Sequence, residues 1–405
     1  MPQSLGKETP SSREQFYESL EVMKARFAAM QPELEMTVRD PAMGVEGYVV
    51  VWNTEISIGG PLERAGKGGT RIVPTLSLDE VKMLARTMAL KNAAAGLPLG
   101  GSKSGLAADS NAPGFEKKYR RFVQLCAPML HENGGIFGGF GFDIGGKPEH
   151  ALWACDELKS TRCFTGKPLH MGGTDYDREG IAGLGVAVAG RTVLECTGKD
   201  PAQMTYAIQG MGAMGAAVLR YFSETGASLK TLSDPRYGGT WEFSAPLSAA
   251  LMEALIKHDP KALDLMTSEG RKISDGSEDA LYSDVDLVFP SAVQNVITDA
   301  NVAKIKARYV VEAANGPVTE TARTGLFARR VIVVPDFIAN PGGIMAAYVE
   351  LTSAAKDKAA EAKALTRQKI ADNVRTMMAM AGEYGVEPVH AGLAMALGRI
   401  FQGKS

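Results

Sequence analysis

Two lysines, Lys91 and Lys103, lie 12 residues apart in the segment K-N-A-A-A-G-L-P-L-G-G-S-K-S-G. Their neighbours are almost all small or apolar, so we expect both ammonium groups to be partly removed from water. Burial lowers the pKa of a lysine and allows it to exchange protons near neutral pH. The glycines let a small molecule approach the backbone closely. The segment therefore predicts the floor of an active site that handles a small anion.

Two further charged residues lie in glycine-rich surroundings. Lys67 belongs to G-K-G-G-T-R, and Asp143 belongs to G-G-F-G-F-D-I-G-G. The nearest charged residue to Asp143 along the chain is Lys147, which suggests a raised pKa for the Asp143 carboxyl. Three cations and one acid suit a small dicarboxylate or an amino acid, together with proton transfer. Taken singly, each has an ordinary alternative as a solvated lysine, a helix-end lysine or a turn residue.

A dinucleotide-binding pattern begins at Met204, where a short apolar run leads into Q-G-M-G-A-M-G and then into a helical pattern. Gly210, Gly212 and Gly215 would permit the tight turn, the approach of a pyrophosphate and close packing of helix on strand. Asp234 would accept hydrogen bonds from the adenine ribose of NAD, whereas Arg236 could pair with the 2′-phosphate of NADP. NAD is the preferred interpretation, and NADP stays open.

The order of elements predicts an α/β fold. Helices are expected over residues 14–31, from an N-cap at Ser77 to about Ala94, and over 115–131. From residue 204 onward, short apolar runs alternate with helical patterns, which indicates βαβ units and a parallel sheet. After Pro335 the pattern is helical. We predict a first domain over 1–180, a Rossmann-type NAD(P)-binding domain over 181–335, and C-terminal helices over 336–405 that return to the first domain.

Composition narrows the classes of function. The chain has 405 residues, 45% hydrophobic and 22% charged, and a net charge of −2 without a basic stripe, which argues against nucleic acid as a partner. Its most apolar run, residues 180–190, is shorter than the ~20 residues that span a bilayer. Four scattered cysteines favour a cytoplasmic location, and five histidines without paired spacing predict no metal. The polar first 12 residues are expected to form a short tail.

The motifs resemble, in order along the chain, those of the glutamate/leucine/phenylalanine/valine dehydrogenase family. They are K-G-G-T-R (67–71), the lysine segment (91–105), F-D-I-G (142–145), G-K-P-L-H-M-G-G-T (166–174), Q-G-M-G-A-M-G (209–215), E-A-A-N-G-P-V-T (312–319) and P-D-F-I-A-N-P-G-G (335–343). The resemblance implies reversible oxidative deamination of an L-2-amino acid to a 2-oxo acid and ammonia. It also implies two domains with a cleft between them: a mixed-sheet domain for substrate binding and oligomerisation, and the Rossmann-type domain. The assembly would be a homo-oligomer, commonly a hexamer or octamer, for which residues 48–52 could supply a sheet edge.

The same resemblance assigns roles to single residues. Lys91 would hold the α-carboxylate, Lys103 would activate water, and Asp143 would exchange protons with the amino group. The other predicted substrate contacts are Lys67, Met88, Ile344 and Ala347. The predicted cofactor contacts are Gly210, Met211, Gly212, Ala213, Met214, Gly215, Asp234, Pro235, Arg236, Asn315 and Asn340.

Two residues give opposing indications about the identity of the substrate. Lys67 resembles the glutamate branch, in which this lysine pairs with the side-chain carboxylate. Ala347 stands where that branch has a serine, and a lost hydrogen bond to a charged group costs about 1.5–3 kcal/mol. Glutamate is the favoured substrate. A branched-chain or other amino acid, or a catalytically silent regulatory paralogue, is the alternative.

Overall fold

The computed structural model describes residues 11–402. Its strands are β1 Leu34–Asp40, β2 Val45–Trp52, β3 Gly66–Lys67, β4 Thr70–Ile72, β5 Gly100–Leu106, β6 Phe140–Gly141, β7 Phe164–Thr165, β8 Thr205–Gln209, β9 Ser228–Asp234, β10 Gly239–Glu242, β11 Arg271–Ser274, β12 Leu287–Pro290, β13 Tyr309–Val311 and β14 Ile332–Val334. Its α-helices are α1 Ser12–Ala29, α2 Leu78–Ala94, α3 Phe115–Cys126, α4 Pro148–Leu158, α5 Ile181–Cys196, α6 Ala213–Phe222, α7 Ala249–Lys257, α8 Ala262–Glu269, α9 Glu320–Ala328, α10 Asp336–Ala339, α11 Gly342–Thr352, α12 Lys358–Tyr384 and α13 Pro388–Phe401. The predicted N-terminal tail lies mostly outside the described residues.

The first sheet is mixed and has the strand order β1-β2-β5-β3, with β4 also paired to β5. Strand β2 runs antiparallel to both β1 and β5, whereas β3 and β4 run parallel to β5. The prediction that residues 48–52 form a sheet edge is wrong, because β2 is paired on both sides and Val49, Val50 and Val51 are fully buried. The run is apolar because α2 and α3 cover its two faces.

The second sheet has seven strands in the order β11-β10-β9-β8-β12-β13-β14. Strands β9, β8, β12, β13 and β14 are parallel, which confirms the predicted parallel sheet. Strands β10 and β11 add an antiparallel edge that the sequence pattern does not show. Strand β11 is largely exposed, so it lacks the apolar run by which the other strands are recognised.

Two of the predicted helices show how local capping and breaking residues set their ends. Helix α2 starts as expected, because the Ser77 hydroxyl accepts a hydrogen bond from the Glu80 amide at 3.2 Å. The helix predicted over 115–131 ends at Cys126 instead. Pro128 lies in the short 3-10 turn that follows and has no amide hydrogen for an α-helical bond.

The last helix of the chain packs against two helices of its N-terminal part. Helix α13 contacts α1 and α2. Arg399 donates hydrogen bonds to the carbonyls of Ala93 and Ala94 at 3.0 and 2.8 Å. A guanidinium at this position adds donors to the carbonyls at the end of α2 and interacts favourably with the negative end of the helix dipole. The end of α2 that carries Lys91 is thereby fixed from the far end of the chain.

Helix α2 and strand β5 are packed so closely that a glycine is required at position 101. A Cβ atom on Gly101 would lie 2.2 Å from the Ala89 amide nitrogen and 2.3 Å from the Ala85 carbonyl oxygen. We expect Gly101→Ala to lower the free energy of unfolding by about 1–3 kcal/mol, because overpacking forces the backbone to shift. Urea unfolding followed by circular dichroism measures this change.

The matched control for this substitution is Gly382→Ala in α12, where an added Cβ meets nothing within 4 Å. Alanine is favoured over glycine by about 1 kcal/mol inside a helix, so this variant should be neutral or more stable. Equal destabilisation of the two variants would contradict the packing argument.

Candidate active site

Lys103 and Asp143 form a short ion pair at the centre of the site. Strand β5 carries Lys103, whose ammonium lies 2.5 Å from the Asp143 Oδ2 atom. Arg71, on the neighbouring β4, donates to the same oxygen from its Nε atom at 3.2 Å and holds Glu80 at 2.8 Å. The side chain of Lys103 is 7% exposed and that of Asp143 is 17% exposed. The site therefore contains a mostly buried acid between two cations.

The predicted rise in the pKa of Asp143 is wrong. Burial does raise it, but the charges of Lys103 and Arg71 more than offset burial, so the pKa of the carboxyl is lowered overall. Sequence neighbours did not reveal these cations, because Arg71 is 72 residues away. Burial also lowers the pKa of Lys103, and the negative charge of Asp143 offsets this in part. At neutral pH the acid is ionised, next to an ammonium that can release a proton.

Lys91 extends from the last turn of α2 towards the second sheet. Its ammonium lies 3.5 Å from the Asn315 Oδ1 atom, which also accepts a hydrogen bond from the Asn340 side chain at 3.1 Å. Burial lowers the pKa of Lys91, while the charge of Asp336 raises it. Since Asn315 follows β13, this contact joins the part of the chain around the first sheet to the part around the second.

Lys67 is fully buried on β3. Its ammonium donates to the carbonyl oxygens of Gly139 at 2.7 Å, Phe140 at 2.6 Å and Gly68 at 3.2 Å. Burial is the main reason that its pKa falls to about 7, and the charge of Glu350 works in the opposite direction. The protein thus holds this ammonium with backbone dipoles and leaves its charge state sensitive to pH.

The remaining predicted substrate residues lie on two helices. Met88 on α2 packs beside Gly68, where an added Cβ would lie 3.2 Å from the Met88 Cγ atom. Ile344 and Ala347 are buried on α11. The structure therefore places Met88 next to the Lys67 strand, whereas Ile344 and Ala347 belong to a helix that packs against α5 and β7.

Arg71 and Tyr176 are two site residues that the sequence reasoning did not single out. Tyr176 lines a cavity of about 340 Å³ together with Phe142, Asp143 and Lys147. Its ring also fills the space beside Gly166, where an added Cβ would lie 2.6 Å from the Tyr176 Cε1 atom. Arg71 could have been found, since it ends the K-G-G-T-R motif. Tyr176 carries no such pattern.

The predicted dinucleotide loop has the geometry that its glycines require. Gly210 has a φ of 87°, and an added Cβ on Gly215 would lie 1.9 Å from the Gly210 carbonyl oxygen. Gly212 caps the N-terminus of α6, and an added Cβ there meets nothing within 4 Å. Open space at a glycine before a helix N-terminus fits a pyrophosphate, which the helix dipole and free amides would attract. Ala213 and Met214 form the first turn of this helix.

Asp234 fixes the glycine loop from the end of β9. Its two carboxylate oxygens accept hydrogen bonds from the amides of Met211 and Arg236, each at 2.7 Å. Pro235 and Arg236 follow in a short exposed turn, and the Arg236 guanidinium lies 3.4 Å from the Met211 carbonyl oxygen. The loop therefore offers both an acid for a ribose and a cation for a 2′-phosphate, so NAD and NADP both fit.

Residues 11–402 contain neither a candidate metal site nor a candidate membrane-spanning helix. The described side chains form no group of three or more His, Cys, Asp or Glu that could hold a metal ion. Across the same residues, no helix is both long enough and apolar enough to cross a membrane.

Comparison with known proteins identifies the family. Residues 172–405 match the model described as Glutamate/Leucine/Phenylalanine/Valine dehydrogenase, and residues 32–160 match the dimerisation domain of the Glu/Leu/Phe/Val dehydrogenases. The chain belongs to this family of NAD(P)-dependent amino acid dehydrogenases. The predicted α/β fold class is confirmed.

Individual relatives agree with this assignment. The NADP(+)-dependent glutamate dehydrogenase of Pyrobaculum calidifontis is 35% identical over 314 residues, 75% of this chain and 72% of that protein. The NAD-specific glutamate dehydrogenase A of Halobacterium salinarum is 34% identical over 293 residues, 70% of this chain and 65% of that protein. A hetero-hexameric glutamate dehydrogenase from Thermus thermophilus has a similar fold, with a TM-score of 0.72 at 22% identity, covering 99% of this chain and 98% of that one.

The open space at Gly212 allows binding and folding to be separated experimentally. We expect Gly212→Ala to keep the wild-type free energy of unfolding, since its Cβ meets no protein atom within 4 Å. The same methyl group would occupy the space that a pyrophosphate needs, so the affinity for NADH and NADPH should fall at least tenfold. Fluorescence titration of the reduced cofactors measures this, with Gly382→Ala as the control. Unchanged affinity would place the dinucleotide elsewhere.

Proposed function

We propose that this protein catalyses the reversible NAD(P)-dependent oxidative deamination of L-glutamate to 2-oxoglutarate and ammonia. The observation that carries the proposal is the buried Lys103–Asp143 ion pair, with Lys91 nearby and an open dinucleotide loop on the second sheet. An NADP-dependent relative and an NAD-specific relative are both named glutamate dehydrogenases, which supports glutamate as the substrate. The same two relatives support NAD or NADP as the cofactor.

Each residue of the site would have a separate role in the reaction. Lys91 would hold the α-carboxylate, and its contact with Asn315 would place the substrate facing the cofactor domain. The glycine loop, Asn315 and Asn340 would hold a nicotinamide cofactor, which would supply the hydride chemistry at the substrate Cα. Asp143, ionised at neutral pH, would take protons from the amino group, and Lys103 would activate the water that attacks the iminium carbon. Fixed charges in a water-poor site need little reorganisation during these steps.

Lys67 supports glutamate as the substrate over an amino acid with an apolar side chain. A buried ammonium is a strong partner for a side-chain carboxylate, because both charges are shielded from water. The side chain of Ala347 has no hydrogen-bond donor that could bind the same substrate carboxylate. Retention of Lys91, Lys103 and Asp143 in one site argues against a catalytically silent paralogue.

The proposed assembly is a homo-oligomer of six or eight subunits. The match of residues 32–160 to a dimerisation domain and the hexameric state named for the Thermus thermophilus protein support it. Strand β1, paired on one side only among the described strands, offers an edge for contact between subunits. A cytoplasmic location is part of the same proposal.

The first test concerns Lys103 and the reaction itself. Wild-type protein should oxidise NADH or NADPH in the presence of 2-oxoglutarate and ammonia, followed by the loss of absorbance of the reduced nicotinamide. Lys103→Met should lower kcat by about 10²–10⁴, the usual contribution of a proton-transferring side chain. Lys117→Met, at an exposed lysine of α3, is the matched control and should keep full activity.

Two results would contradict this proposal in different ways. Absence of turnover with any 2-oxo acid would exclude the dehydrogenase function. Turnover of leucine or phenylalanine in preference to glutamate would keep the reaction and exclude the proposed substrate.

The second test uses the pH dependence of KM. Lys67 has a pKa of about 7, so it carries its charge below that pH and loses it above. We therefore expect KM for 2-oxoglutarate to rise as pH increases past about 7, by roughly tenfold for each pH unit once the lysine is mostly neutral. The KM for 2-oxovalerate, which lacks the second carboxylate, should not show this rise. Parallel pH profiles for the two substrates would show that Lys67 does not contact the substrate carboxylate.

A further inference from the structure

A second buried ion pair, between Lys167 and Glu350, lies outside the residues that the mechanism uses. The Lys167 ammonium is 2.8 Å from the Glu350 Oε2 atom, and the two side chains are 4% and 0% exposed. Removal of one partner from such a pair is strongly destabilising, and an apolar pair of the same shape is often at least as stable. Stability alone therefore gives little reason for charges at this position.

Glu350 joins α11 to the segment between β7 and α5. Its Oε1 atom accepts hydrogen bonds from the Gly166 amide at 3.0 Å, the Thr174 amide at 2.8 Å and the Thr174 hydroxyl at 2.6 Å. Glu350 lies one helical turn after Ala347. The carboxylate thus fixes the helix that carries Ala347 against residues 166–174.

The pair is also linked to Lys67 through the small parallel sheet of β6 and β7. Lys67 donates to the carbonyl oxygen of Phe140 in β6, which is paired with Phe164 in β7. Lys167 donates to the carbonyl oxygen of Phe164. On the β6 side, an added Cβ on Gly141 would lie 3.5 Å from the Lys67 ammonium. The two ammonium groups therefore bind carbonyls of paired residues on adjacent strands, which links the pair to the ammonium proposed to hold the substrate side chain.

We propose that Glu350 and Lys167 are positioning residues for the substrate side chain, which together set the charge and the place of Lys67. The proposal rests on the function proposed above. Besides burial, which is the largest effect, Glu350 favours the charged form of Lys67, Lys167 and Lys103 oppose it, and Cys163, the residue before β7, favours it. Burial raises the pKa of both Asp175 and Tyr176, and the charge of Glu350 adds to this rise; Tyr176 lines the cavity beside Asp143.

Glu350 favours the charged form of Lys67 and Lys167 opposes it. Removing the two charges one at a time should therefore move the pKa of Lys67 in opposite directions, which the loss of a purely structural contact would not do. In Glu350→Gln the midpoint of the pH profile of KM for 2-oxoglutarate should move to lower pH, since Lys67 loses a favourable charge. In Lys167→Met it should move to higher pH, since a repulsion is removed. On the alkaline side, a displacement of one pH unit corresponds to about a tenfold change in KM. The double variant should return towards the wild-type midpoint.

Two controls separate charge from packing. Thr174→Val removes the hydroxyl that donates to Glu350 without altering charge, so it should leave the midpoint in place. The double variant Glu350→Gln/Lys167→Met carries no unpaired buried charge, and it remains measurable even if a single variant fails to fold. Midpoints that move in the same direction in both single variants, or do not move, would overturn the proposal.

A direct titration keeps this proposal separate from the proposed function. Protein labelled with ¹³C at the lysine ε-carbons allows the Lys67 resonance to be assigned with Lys67→Met and followed against pH without any substrate. Opposite displacements of that titration in Glu350→Gln and Lys167→Met are expected. If they occur while the wild type fails to turn over glutamate, the pair sets the charge of Lys67 and the substrate assignment alone is wrong. Identical titrations in all variants would overturn the proposal whatever the substrate.

Discussion

The site depends on the close contact between α2 and β5. With no room for a side chain at Gly101, the helix lies directly on the strand, and each element delivers one lysine to the same region. Burial is the main cause of the lowered pKa of Lys91, and the positive charge of Lys103 also lowers it. An arrangement that brings ammonium groups together away from water must supply compensating groups.

The protein compensates each lysine differently, and the differences match the roles proposed for them. Lys103 has a carboxylate at 2.5 Å, so its proton has an acceptor close by. Lys67 has carbonyl oxygens as partners in place of a carboxylate, and burial lowers its pKa to about 7. Lys91 has the side-chain oxygen of Asn315 at 3.5 Å, a weak contact that a substrate carboxylate can replace.

Local patterns predicted those parts of the fold that are determined by neighbouring residues. The Ser77 cap, the strand before Gly210 and the glycine turn itself follow from spacing within a few residues. The partners of Asp143 and of Lys67 do not, because β4, β5 and β6 bring them together over separations of 40 to 73 residues. The Lys167–Glu350 pair spans 183 residues. An expectation for a pKa based on sequence neighbours fails at such sites, as it did for Asp143.

The charges of the site together favour a substrate with two negative groups. Lys67, Lys91, Lys103 and Arg71 surround a region in which Asp143 is the acid in direct contact with two of them, and Glu80 lies on the far side of Arg71. In a region shielded from water, an excess of positive charge acts over several ångströms with less screening than at the surface. An α-carboxylate would neutralise one cation and leave the Lys67 region unbalanced. A second carboxylate at the other end of the substrate would remove that imbalance, and an apolar side chain would not.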